Sequence, residues 1–364
     1  TIGVVTGGSQ NLTFTTEDNI TGTNITASGA ISNVGALTLN SVGGTATFSG
    51  DVDAESLTVD NTVANVALTG NGSTITNNFT PSNDGTLVLG DASGDALTFN
   101  GGLTESTTGT VTLSGSIVSS NDAINFGPIT LGTDTTITSA GGSIVTGNIT
   151  GTSGQDITIT STGGGTNTAL INGTIGAGGN INTITATGTS GLQFAGNIAT
   201  NDAAGNTFTA TGSTIDFNNI TINTDAANND GNVIFNVDTV VDSVTTDVGT
   251  AIFQITPVTT SAVIELARTN SGAINEGVFY DLDNVIVQQA AFALVGSPSH
   301  TGNIFIGNDL AAMVHAQQAN IQVQNSSSGQ ILLSSDYTSA NGFLTLTSGN
   351  GVTLQDLSNN VIAT

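Results

Sequence analysis

A five-residue element, apolar-x-Gly-x-aliphatic, recurs along the chain at a spacing that few folds can accommodate. It stands at Phe48-Ser-Gly50-Asp-Val52, Phe99-Asn-Gly101-Gly-Leu103, Leu113-Ser-Gly115-Ser-Ile117, Val145-Thr-Gly147-Asn-Ile149 and Phe194-Ala-Gly196-Asn-Ile198. Relaxed forms occur at Phe126-Gly-Pro-Ile129, Asn172-Gly173-Thr-Ile175 and Phe217-Asn-Asn-Ile220. The closing aliphatics at 129, 149, 175, 198 and 220 are 20, 26, 23 and 22 residues apart. An imperfect repeat of that length indicates an array of small stacked units rather than one globular core.

The content of each unit is legible as well. Leu12-Thr13-Phe14, Leu37-Thr38-Leu39, Leu57-Thr58-Val59, Leu97-Thr98-Phe99, Val111-Thr112-Leu113 and Ile157-Thr158-Ile159 share one form. Two apolar side chains point one way and a threonine the other, the period-2 mark of a half-buried strand. β-branched residues favour that state. Clusters such as Ser82-Asn83-Asp84-Gly85 separate the triplets and supply turns. Strands of about 5 residues with corners of 2–4 need about 20–25 residues per three-strand circuit. Stacked circuits place like on like, so apolar residues line up in internal columns. The glycine of each element is read as a corner residue, entering φ > 0 where other residues resist.

These features predict an all-β chain folded as a right-handed parallel β-helix (β-solenoid) of roughly 16 coils. An antiparallel sandwich is the runner-up, because frequent turn signals also fit it. Near residue 250 glycine thins out and longer apolar stretches appear, Ala251–Ile255 and Ala262–Leu266 among them. The predicted division is therefore 1–250, a Gly/Thr/Asn-rich solenoid, and 251–364, its continuation with an irregular insertion near 251–320. The segment 309–319 has the residues of a short helix, which Asn308 or Asp309 would cap.

The runs ITLGTDTTITSAGGSIVTGNITGTSGQDITIT (129–160) and GALTLNSVGGTATFSGDVDAESLTV (35–59) resemble the repeats of filamentous-haemagglutinin-type surface proteins and other giant bacterial β-strand-repeat proteins. The resemblance covers about residues 20–240 and returns weakly from 320. It is one of texture, and no secretion-signal domain of that family is evident. It implies a right-handed β-helix, export, and a place on the bacterial cell surface in adhesion or as structural material.

Composition decides which partners are excluded. The chain of 364 residues has 27 acidic side chains against one basic residue, Arg268, for a net charge of −26. Phosphates need clustered Lys and Arg, so nucleic acid is not expected as a partner. No run approaches the ~18 apolar residues of a membrane span, so membrane insertion is not expected. Cysteine is absent and disulfides cannot form. A surface of Thr, Asn, Ser and Gly without lysine suits a protein outside a cell. Thr1 opens directly into strand-like sequence and the chain stops in more of it, which fits removal of a leader or a piece of a longer polypeptide.

Candidate sites are sparse. Nucleophilic catalysis needs a histidine beside a serine or cysteine. Only His300, in a turn, and His315, in the possible helix, are present. Solenoid lyases and glycosidases need a base or paired carboxylates. Arg268 is the sole base of that kind, expected to pair with Glu265 or Asp281. No catalytic residue is assigned and no enzyme is expected. Calcium is the ion that the oxygen-rich clusters would take: Asp225 with Asp230, Asp281 with Asp283, and also Asp51/Asp53 and Asp91/Asp95. Turn use alone explains Asp and Asn at such places and is the favoured reading. Asn-x-Ser/Thr sequons at Asn11, Asn24, Asn71, Asn148 and Asn172 are ascribed to the abundance of Asn and Thr.

The expectation is thus a secreted structural protein that self-associates, head-to-tail or laterally, into an extracellular fibre, sheath or surface layer. The strand-like ends motivate it, since open solenoid ends template further pairing. The alternative is an adhesin stalk or binding module for cell-surface glycans or neighbouring cells; Phe253, Phe279, Tyr280, Phe292 and Phe305 are its candidate aromatic platforms, with core packing the favoured use. With Arg268 the only trypsin site, even the denatured chain should yield at most two fragments, 1–268 and 269–364. Mass spectrometry of a complete digest checks this, and any third tryptic product contradicts it.

Overall fold

The computed structural model describes residues 1–16, 20–163, 169–178, 181–201, 205, 207–225, 231–266, 279–281, 285–290, 292–306, 320–326, 328–333 and 344–354. Every regular element among them is a β-strand, and the strands pair in parallel. The chain is a parallel β-solenoid of about 12 turns. The expected count of 16 assumed a uniform coil. The spacing instead varies along the chain: Val111 meets Ile129 after 18 residues, Val5 meets Ile31 after 26, and Thr256 meets Gly296 after 40. The helix expected at 309–319 lies outside the described residues.

The fold comprises two compact units, Thr1–Ile175 and Gly176–Thr364. In the first, a coil passes through three strand segments, as at Val111–Ser119, Ile124–Asn125 and then Ile129–Ser139 of the next coil. Val111–Ser119 itself spans two faces. Its register with Ile129–Ser139 shifts between Leu113 and Gly115. Gly115 makes the corner at φ 72°, and a Cβ there would lie 2.4 Å from the Asp95 carbonyl oxygen.

The interior columns follow directly from register. Leu87, Val111, Ile129, Ile149 and Ile175 stack in successive coils, as do Leu97, Ile117, Ile137 and Ile159. All of these side chains are buried. Burial of each aliphatic side chain stabilises by about 1.5–3 kcal/mol. The Ile129–Ile149–Ile175 spacing seen in the sequence is one of these columns.

The second unit packs with larger side chains. Phe194, Phe208, Phe217, Phe235 and Phe253 are fully buried, with successive ring centroids 4.8–6.2 Å apart. Bulk alternates with small residues across the ladder, Ala210 opposite Phe235 and Val233 opposite Phe253. The composition change near residue 250 falls within this unit, where the ladder from Val233 to Phe253 to Ala293 runs on.

The repeated glycines have another cause than the one expected. In those elements left-handed backbone is found at Gly102 and Gly115, whereas Gly50, Gly101 and Gly147 do not adopt it. Gly50 stacks directly on Gly29, and Gly70 on Gly50; a Cβ at Gly50 would sit 2.4 Å from the Gly29 carbonyl carbon. Gly147 lies on Gly127 in the same way. Backbone meets backbone between coils, and no side chain fits. Gly50→Ala should therefore destabilise by about 1–3 kcal/mol, the usual cost of overpacking. Gly94→Ala, with nothing within 4 Å of its new Cβ, should leave stability unchanged. Thermal melts of the two variants check this; equal midpoints would contradict the backbone contact.

Candidate functional site

Several asparagines, Asn24 and Asn148 of the sequence candidates among them, bind the next coil. Asn24 Oδ1 accepts the Thr45 N–H at 2.7 Å and Asn65 Oδ1 that of Thr86 at 2.8 Å. Asn148 receives Thr174 N–H and Asn197 receives Thr221 N–H, both at 2.9 Å. Asn232 receives Ile252 N–H at 3.0 Å and Asn303 receives Gln330 N–H at 2.9 Å. Each bond satisfies a backbone donor at the point where a strand begins and the ladder is not yet formed. The acceptor and its donor are 20–27 residues apart, one coil in every case.

Aspartates do the same work. Asp51 Oδ1 accepts the Gly72 N–H at 2.8 Å, and Asp134 Oδ1 the Asp156 N–H at 3.0 Å. Asp238 takes both the N–H and the hydroxyl of Thr259, at 2.8 and 2.7 Å. Asp95 folds back on its own turn, where Oδ2 accepts the N–H groups of Asp91 (2.7 Å) and Ala92 (2.9 Å). Burial, and then the charge of Asp95, raise the pKa of Asp91 above the usual carboxylate value.

These geometries bear on the calcium candidates. Asp51 and Asp95 are engaged as backbone acceptors. Asp225 is part-buried after strand Ile220–Asn223, and its N–H donates to Asn223 Oδ1 at 2.8 Å. Asp281 closes strand Phe279–Asp281, in register with Glu265. Asp230 and Asp283, like Arg268 and His315, lie outside the described residues. Among the described residues no group of three or more His, Asp or Glu side chains is placed to hold a metal ion.

One open depression brings two carboxylates together. Asp53 and Glu55 share the outer face of strand Val52–Val59, beside Ser9 and Asn33, around a space of about 380 Å³. The Ser9 hydroxyl donates to Asn33 Oδ1 at 3.2 Å. Of the aromatic residues suggested as platforms, Phe253 is fully buried against Phe235. No helix among the described residues is long and apolar enough to cross a membrane. Comparison with protein-family models, with curated proteins and with solved structures finds no match for the chain.

What the sequence reading missed is the asparagine staple. Its signal was present as the tripeptide Asn-Ile-Thr at Asn24 and Asn148, which had looked like chance sequons, and again at Asn219. The asparagine binds the next coil, the isoleucine enters the core and the threonine points out. Asn148→Ala should cost about 0.5–1.5 kcal/mol by removing the acceptor of Thr174 N–H. Asn148→Asp keeps an acceptor oxygen and should restore most of it. Hydrogen exchange at Thr174 reads the effect directly: faster exchange in the alanine variant alone is expected, and identical rates in all three proteins would contradict the staple.

Proposed function

We propose that the chain is a structural protein of the cell exterior that self-associates into a fibre, sheath or surface layer. The observation that carries this reading is the outward ladder. Thr13, Thr38 and Thr58 stand in register in successive coils, as do Thr112, Thr130 and Thr150. The Thr130 and Thr150 hydroxyls are 3.2 Å apart. Such columns give a repetitive, uncharged surface that a second copy can meet in several registers, which suits lateral packing. The textural resemblance to filamentous-haemagglutinin-type repeats agrees with an exported, surface-bound role. A chain with one tryptic site would also persist among extracellular proteases.

Self-association must overcome repulsion between chains of net charge −26. Screening by salt shortens that repulsion to about 8 Å at physiological ionic strength. Electron microscopy of the purified protein across concentration, with and without added salt and calcium, tests the reading. Filaments or sheets that grow with concentration and salt are expected. Single particles at the highest concentration would overturn it. Glycan-array binding by those particles would favour the adhesin stalk instead.

A further inference from the structure

His300 occupies the corner that follows strand Phe292–Gly296 of the second unit. Its side chain is 1% exposed, and neither ring nitrogen has a hydrogen-bond partner. The backbone around it is tied to both neighbouring coils. The His300 N–H donates to the Ser297 carbonyl at 3.0 Å, and the His300 carbonyl accepts the Ser326 N–H of the following coil at 2.6 Å. Thr301 N–H donates to the Thr260 carbonyl of the preceding coil at 2.6 Å. Gly302 and Gly329 continue the stack with no room for a Cβ. In the following coil Asn325, 4% exposed, donates from Nδ2 to the Gly302 carbonyl at 3.3 Å, while its Oδ1 is buried without a partner. Unsatisfied polar atoms of two residues are thus closed into one corner, an arrangement native interiors seldom keep.

Titratable residues on the described strands paired with this coil include Glu265, opposite Phe305, and Asp281, opposite Glu265. Residues 292–306 of its own coil, 252–264 of the preceding coil and 320–333 of the following one hold no other titratable residue. Asp238 is one coil further away, with its carboxylate engaged by Thr259. An imidazolium formed here would be a buried cation whose ring nitrogens meet no hydrogen-bond partner among the described residues, a costly state. Burial accordingly lowers the His300 pKa below 6.5; the Ala262 backbone opposes this in part without reaching hydrogen-bond geometry.

We propose that the His300 corner is an acid-operated latch, in which protonation of the buried imidazole releases residues 297–302 from the coils on either side. The direction follows from linkage. An opened corner binds a proton with the ordinary affinity and the closed one more weakly, so closure is fully favoured above pH 6.5. It weakens as pH falls from there towards the lowered value of the closed state. Within that window the closed-to-open ratio drops about tenfold per pH unit.

Hydrogen exchange of the full chain between pH 7.5 and 5, corrected for intrinsic exchange, tests the latch. Protection at Thr301 and Ser326 should fall about tenfold per pH unit below the window's upper edge, while Ile124 and Ile129 of the first unit stay protected. His300→Leu should abolish the fall. Unchanged protection in the native chain at pH 5, or the same fall in the leucine variant, would overturn the proposal. If the leucine variant does not fold, His315→Ala leaves His300 as the only histidine for NMR titration. A midpoint below 6.5 that coincides with lost protection at Ser326 supports the latch. A midpoint at or above 6.5, or titration with Ser326 still protected, refutes it.

Discussion

Parallel pairing of each coil with the next is the interaction on which the molecule depends. One coil cannot bury its apolar faces alone, and its backbone donors and acceptors point along the stacking direction. Only a neighbour in register satisfies both demands. Once Ile129 lies over Ile149, Ile137 over Ile159 and Ile124 over Ile144, three faces are fixed together. A slip of a single residue would turn every inward isoleucine outward. Register is therefore strongly specified wherever the columns are aliphatic.

Corners are where such a stack is weakest, because the ladder is interrupted and backbone donors lose their partners. Two devices close them. Glycine removes the side chain where backbones approach, as from Gly29 to Gly50 to Gly70. Asparagine or aspartate reaches across to the next coil's N–H, as Asn148 does for Thr174 and Asp51 for Gly72. Both devices work without salt bridges, so a chain with one basic residue can dispense with them. The acidic residues are accordingly parts of the scaffold before they are candidates for any ligand. His300 departs from this pattern, a buried side chain with both ring nitrogens left without a partner.

The strands and the coil period were legible because they are written in alternation, where Leu-Thr-Phe or Ile-Thr-Ile repeats with one threonine outward. Ile129, Ile149 and Ile175 could be placed in one column from spacing alone. The match ends at Ile198, which pairs with Ile222 rather than Ile220, since corner lengths vary and composition does not encode them. The long coil from Phe253 to Ala293 was visible only as a change of texture. Glycine roles were misassigned at Gly50 and Gly147, because close approach between coils is a tertiary fact. The Asn-Ile-Thr staple was overlooked for the same reason: its partner lies one coil away, at a distance in sequence that only the fold makes short. Calcium clusters at Asp51 and Asp95 looked alike in sequence but are separated by what their oxygens accept.

Cysteine cross-linking tests the stacked register most directly, since the native chain has no thiols. Thr130 and Thr150 face each other across adjacent coils, with their hydroxyls 3.2 Å apart. A disulfide needs Cα atoms about 4.4–6.8 Å apart, which neighbouring strands provide at about 4.8 Å. The double variant Thr130→Cys with Thr150→Cys should cross-link intramolecularly under mild oxidation, whereas Thr130→Cys with Thr138→Cys, two positions along one strand, should not. Failure of the first pair, or equal cross-linking of the second, would contradict a solenoid of in-register parallel coils.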